Sequence, residues 1–174
     1  MTDYGTHTKL DDGRHQVRFE RRLNHPIDRV FAAITEPQEI EAWLARADVD
    51  LREGGRVHLM WLNTDENGKR YEGGDAIGTV ARLDPPHLVE YDTDHHGTLT
   101  WELREDDGQT HLTLTATLHM PDEHATKNLA GWHSHLDFLA GWLDDGTRID
   151  WPRWPREHWQ EAYEVYEASM RPIS

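Results

Sequence analysis

The sequence predicts an α+β fold, an antiparallel sheet with one buried face roofed by a long helix near the C-terminus. Three observations carry this. Several segments alternate apolar and polar residues with period two, so each can bury only one face. Gly, Asp and Pro punctuate those segments at hairpin spacing. The stretch NLAGWHSHLDFLAGWLDDG, residues 128–146, repeats Leu and Trp at helical spacing instead.

The elements follow in order. Beyond a polar tail over residues 1–14, HQVRFERRL alternates, with Val17, Phe19, Arg21 and Leu23 on one face and Arg18, Glu20 and Arg22 on the other. Asn24 and Pro26 supply helix-start chemistry, and Ile27, Val30, Phe31 and Ile34 recur at i, i+3, i+4 and i+7. In TEPQEIEAWL, Thr35 is expected to cap a second short helix while Gln38 reaches back, with Pro37 in the first turn and Ile40, Trp43 and Leu44 facing inward. REGGRVHLMWLN, GGDAIGTVARLDPPHLVEY and GTLTWELREDDGQTHLTLTATLHM read as strands, and EDDGQT holds the Asp-Gly pair of a hairpin turn. Val57, Leu59 and Trp61 share a face, as do Leu99, Trp101 and Leu103, and Leu112, Leu114, Ala116 and Leu118. Thr113, Thr115 and Thr117 are expected on the wet face.

A one-sided sheet needs a cover, and the long helix supplies it. At 100° per residue Leu129, Trp132, Leu136, Leu139, Ala140 and Leu143 fall on one arc, with His133 at its edge and His135 and Trp142 outside it. Past Gly146, two Trp-Pro pairs precede a helix striped by Trp159, Ala162, Tyr163, Tyr166 and Met170, for which Trp142 is an expected packing partner.

Composition narrows the function. The 174 residues suit one domain. With 33 acidic against 18 basic residues, the chain carries a formal charge of −15, which repels nucleic-acid phosphates and anionic lipid headgroups. No cysteine is present, so thiolate catalysis, thiolate metal sites and disulfides are excluded. No signal-like or membrane-spanning apolar run occurs, and a cytoplasmic location is expected.

The succession of strand, two short helices, antiparallel strands and long helix, with TEPQEIEAWL, REGGRV, RLDPPHLVEY and LAGWHSHLDFLAGWL in matching places, resembles the START-like SRPBCC superfamily. Within it the chain is most similar to the branch named for activators of the heat-shock ATPase. The resemblance spans residues 15–146. It leaves residues 147–174 as an extension that could be a lid, a packing helix or a homodimer contact. It implies a helix-grip fold, in which a curved sheet wraps the long helix and leaves a deep, mostly apolar cavity between them.

The candidate site residues are Arg21, Trp43, Leu59, Trp61, Trp101, Trp132, His133 and Leu136, of which the four tryptophans point at that interior and His133 stands at its edge. Large aromatic walls suit a flat or greasy ligand, although the same rings also serve as core filler. Arg21 is out of character on an apolar face. It is either the anchor of an anionic headgroup or a strand-end residue paired with a carboxylate such as Glu102. His133 and Asp137 are spaced i, i+4 as ligands on one helix face would be, but two ligands make no zinc site, and no HExxH occurs. His133 and Glu72 are the only acid–base candidates near the cavity, and the sequence orients neither. Nucleophile-elbow, phosphate-cradling and dinucleotide fingerprints are missing.

The expected function is therefore non-enzymatic binding of a small apolar or aromatic molecule, with no cofactor and no metal. Two alternatives come with the resemblance: a co-chaperone-like regulator of a heat-shock ATPase, and a cyclase- or hydratase-type enzyme working in the same cavity.

Overall fold

Alternation of side chains decides the sheet. The computed structural model describes residues 3–71 and 73–170. Its strands are β1 (Thr6–Lys9), β2 (His15–Leu23), β3 (Ala45–Val49), β4 (Arg56–Trp61), β5 (Ala76–Asp84), β6 (Leu88–Thr93), β7 (Thr98–Asp106) and β8 (Gln109–Leu118). They form one sheet in the order β1-β2-β8-β7-β6-β5-β4-β3. Every neighbouring pair is antiparallel. The helices are α1 (Ile27–Thr35), α2 (Pro37–Trp43), α3 (Ala125–Asp145) and α4 (Arg156–Met170). The α+β helix-grip architecture expected from the sequence is the one observed.

Register places the apolar residues in rows across the concave face. Phe19 lies opposite Leu114, which lies opposite Trp101, which lies opposite Val89. The adjacent row runs Val17, Ala116, Leu99, Tyr91. All eight are at most 2% exposed. Each fully buried large side chain in such a row contributes on the order of 2 kcal/mol of transfer free energy. The next row is Arg21, Leu112 and Leu103, so a guanidinium occupies a core position, at 5% exposure.

The chain crosses from β2 to the far edge strand β3 through α1 and α2, and that crossing closes one end of the concave face. The junction differs from expectation. Thr35 does not cap α2; its hydroxyl donates to Phe31 O at 2.7 Å within α1. Glu36 stands at the N-cap with no side-chain bond, and Gln38 reaches the Glu36 carboxylate instead. Pro37 at the first turn tolerates this, because its missing N–H has no helical partner there.

Two strands lay outside the sequence expectations. β1 comes from the segment read as a polar tail, and its side chains are mostly exposed, so backbone pairing with β2 rather than an apolar face creates it. β3 follows α2 directly and was hidden by the helical Trp43–Leu44 pattern. Thr113 is also buried rather than wet, because β8 is flanked on both sides and Glu20 and Glu102 crowd its outer face.

The Asp107-Gly108 turn joins β7 to β8 as expected, with both φ angles positive. Gly146 ends α3 in the left-handed conformation, its N–H returning to Gly141 O and Trp142 O. Gly97, in the turn between β6 and β7, has φ +65°, and a Cβ there would lie 2.1 Å from Thr117 O. Gly97→Ala is therefore expected to destabilise the domain by about 2 kcal/mol or more, read as a lowered midpoint in denaturant unfolding. An unchanged midpoint would show that this turn is not tight.

Candidate functional site

The interior between sheet and α3 is built from indoles. Trp43 (α2), Trp101 (β7), Trp132 (α3) and Trp61 (β4) form a continuous edge-to-face column. Centroid separations are 6.0 Å for Trp43–Trp101, 5.9 Å for Trp101–Trp132 and 6.0 Å for Trp132–Trp61, at interplanar angles of 86°, 77° and 88°. This is the arrangement that ring quadrupoles favour, and each such pair contributes about 1 kcal/mol beyond burial. Leu59 and Leu136, each 1% exposed, are buried in the same core. Six of the eight candidate residues thus belong to one apolar interior.

These rings and leucines pack against one another in the interior where the resemblance implies a cavity. Two surface hollows lie away from the column. One of about 100 Å³ is lined by Tyr4, Arg18, Glu20 and Arg21, and another of about 380 Å³ by Asp92, Asp94, His95 and His119.

The column has one loosely held end. Trp61 is 8% exposed, against 0% for Trp43 and 2% for Trp101. Its Nε1–H points at His96 Nε2 at 2.9 Å, and the same nitrogen lies 2.9 Å from Gly74 O. One imidazole nitrogen cannot accept from the indole and donate to the carbonyl at once. Either tautomer leaves one of the two contacts unmade. Burial lowers the His96 pKa, so the ring is neutral at pH 7.

His135 closes that end, a position the helical-arc expectation placed outside the buried face. It is 8% exposed because α3 is gripped from two sides, by the sheet and by α2, Trp151 and α4. Its Nδ1–H donates to Trp43 O at 2.9 Å, satisfying a carbonyl that the end of α2 leaves open. Trp61, Phe138 and Trp151 surround the ring at 6.3, 5.7 and 6.1 Å. Desolvation pushes its pKa down to about 4, against the opposing pull of the Trp43 carbonyl.

Arg21 and His133 belong to a separate polar knot. The Arg21 guanidinium lies over the Phe19 ring at 5.7 Å, donates to Asp3 O and Glu20 O, and faces Asp137 Oδ1 at 3.7 Å. Its carboxylate is therefore Asp137 of α3, not Glu102, which the register keeps on the sheet's outer side beside Thr113. Asp137 Oδ2 also meets His158 Nε2 at 2.7 Å and His133 Nε2 at 3.4 Å. Burial works against this carboxylate, but His133, His158 and Arg21 together hold its pKa below the usual range.

The other nitrogen of His133 is occupied too. Tyr166 Oη accepts the Gly5 N–H at 2.7 Å and shares a hydrogen bond of 2.9 Å with His133 Nδ1. Burial raises the Tyr166 pKa to about 12. With both nitrogens engaged, His133 clamps the N-terminal segment and α4 onto α3. Glu72, the other acid–base candidate, lies outside the described residues. Among the described residues no group of three His, Asp or Glu side chains is placed to hold a metal ion.

Comparison with known proteins agrees with this architecture. A family model described as Activator of Hsp90 ATPase homolog 1-like protein matches residues 24–144. The chain belongs to that family. No curated protein matches it. Among solved structures it is similar to CalU16 from Micromonospora echinospora, at 22% identity and TM-score 0.66 over 94% of each chain. The protein encoded by BPP1335 of Bordetella parapertussis has 27% identity and TM-score 0.66, over 98% of this chain and 92% of that one. DynU16, a protein in the dynemicin biosynthetic locus, has 22% identity and TM-score 0.61 over 78% of this chain and 50% of its own. This AHSA1-like domain shares their fold, and among its described residues no helix is long and apolar enough to cross a membrane.

Two expected outcomes follow from the geometry. Removing the partner of a buried guanidinium strands its charge, so Asp137→Ala should cost on the order of 3 kcal/mol in denaturant unfolding, while Glu102→Ala stays within about 0.5 kcal/mol. Equal effects would place the Arg21 partner elsewhere. The second concerns acid. His135 binds a proton near pH 6.5 when unfolded but only near pH 4 when folded, so the unfolded chain takes up more protons between those values. Stability should fall as pH drops through that window, by on the order of 3 kcal/mol from this group, and His135→Asn should flatten the dependence. A profile from pH 7 to 4 identical in both proteins would contradict a buried neutral His135.

Proposed function

We propose that this AHSA1-like domain binds a small, uncharged, apolar or aromatic molecule without chemically changing it, in the space the indole column occupies between sheet and α3. The observation that carries the reading is the column itself, with Trp61 as a movable wall. Its ring is the most exposed of the four, and its polar anchor is shared with Gly74. When Trp61 swings outward, a flat guest takes its place against Trp132 and keeps the edge-to-face contacts. The site residues in this reading are Trp43, Leu59, Trp61, Trp101, Trp132 and Leu136. Arg21 and His133 are committed to Asp137 and Tyr166 and serve as scaffold. The full occupation of His133 also weighs against an enzyme of cyclase or hydratase type.

Magnitudes decide what to measure. An indole-sized guest buries roughly 200 Å² of apolar surface, worth about 5 kcal/mol, which corresponds to a sub-millimolar Kd. In the unaltered protein part of that is spent displacing Trp61, whereas Trp61→Ala vacates the space beforehand. Indole is therefore expected to bind Trp61→Ala measurably more tightly than the unaltered protein in isothermal titration calorimetry. Absence of saturable heat in both, across indole, naphthalene and biphenyl, would end the ligand reading.

The family description favours a second reading, in which the domain regulates an Hsp90-type ATPase. In that case a saturating amount of the protein should raise ATP turnover by the host's own heat-shock ATPase severalfold. An unchanged steady-state rate removes it.

A further inference from the structure

Two imidazoles border the Trp61 end of the indole column, His96 on the indole N–H and His135 with its ring centroid 6.3 Å from the Trp61 ring, and the protonation pattern of His135 is fixed by geometry. Nδ1 must carry the hydrogen, because it faces the Trp43 carbonyl oxygen at 2.9 Å. In a neutral imidazole Nε2 then holds a lone pair, the bond to the Trp43 carbonyl being made at Nδ1. The ring stays neutral through the physiological range, since burial pushes its pKa down to about 4.

The surroundings limit what can use that lone pair. Trp61, Phe138 and Trp151 present rings on three sides and no charge. Ring faces disfavour an anion, and a cation would gain no carboxylate there. A guest that displaces Trp61 arrives within reach of His135, whose ring centroid is 6.3 Å from the Trp61 ring. We infer that the ligand is a neutral arene bearing a hydrogen-bond donor, a phenolic hydroxyl or a ring N–H, and that His135 selects it by accepting that hydrogen at Nε2. His135 is then a specificity-determining residue, in addition to bonding the end of α2. The inference rests on the ligand reading above, and it adds a chemical class to it.

The test uses two probes of nearly equal shape, 2-naphthol and 2-methoxynaphthalene, titrated calorimetrically into the full chain at pH 7. One neutral hydrogen bond corresponds to a fivefold to tenfold difference in Kd, with 2-naphthol the tighter. His135→Asn retains a side-chain N–H for the Trp43 carbonyl and draws the acceptor back from the Nε2 position, because the amide Oδ1 stands where the ring Cδ2 does, so the ratio of the two constants should fall to near one. Independently, the ¹⁵N resonance of His135 Nε2 should move on adding 2-naphthol and not on adding its methyl ether, a readout that needs no variant to fold. Equal affinities for the two probes on the unaltered protein would overturn the inference and leave the ligand reading standing. A preference that persists in His135→Asn, or an unmoved Nε2 resonance, would overturn the assignment to His135. If neither probe binds, the ligand reading itself fails and this one with it.

Discussion

The contact on which the rest of the structure depends is the edge-to-face column of Trp43, Trp101, Trp132 and Trp61. It is where the two layers meet, since one ring comes from α2, one from β7, one from α3 and one from β4. A concave sheet wrapped around a helix has more interlayer volume than aliphatic side chains fill well. Indoles bring large area at little rotamer cost, and their perpendicular stacking ties elements distant in sequence to one another. The Trp43 Nε1–H is satisfied by Ala33 O at 2.9 Å, which fixes α2 against α1 and orients the first ring. Order decreases along the column, from that fully buried ring to Trp61 at the rim.

Around the column, polar groups are segregated by whether they are charged. At the rim the imidazoles of His96 and His135 are kept neutral by burial. The charged Arg21 and Asp137 lie farther toward α4, where His133 and His158 converge on the same carboxylate. Phe19 separates the two regions, its ring 6.5 Å from His133 and beneath the Arg21 guanidinium. A chemically quiet interior beside a charged clamp is what a binding domain needs, because a charge inside would cost more than an apolar guest returns.

Most of the fold was legible in the sequence because it follows from period. β2, β4 to β8 and the long helix each show an apolar face that no other geometry would bury, and Asp107-Gly108 and Gly146 mark their turn and terminus. β1 and β3 were not, since one has no apolar face and the other continues a helical pattern without punctuation. In the site, the convergence of the four tryptophans was legible from strand parity and helix phase. His135 was not, because a helical wheel assigns burial from one partner layer, and α3 has two. Nor was the Arg21 partner, since Asp137 is brought to it by the angle at which α3 crosses β2. The i, i+4 spacing of His133 and Asp137 was the available signal, and it indicated a shared face without indicating that a guanidinium would complete it.

The extension past Gly146 acquires a role from where its bonds end. Trp154 Nε1–H and Arg156 Nε–H both reach Thr64 O, at 2.8 and 3.0 Å, and Arg156 also donates to Asp65 O at 2.7 Å. Arg70, from the same β4–β5 connection, donates to Trp61 O. The extension therefore grips the loop that follows Trp61, while at its other end Tyr166 holds Gly5 and His133. Because Trp151 also donates to Glu41 O and lies beside His135, the same segment touches both walls of the rim. In the proposed ligand reading, displacing Trp61 would act on the extension through the backbone carbonyls it grips, Thr64 O and Asp65 O, rather than through the sheet.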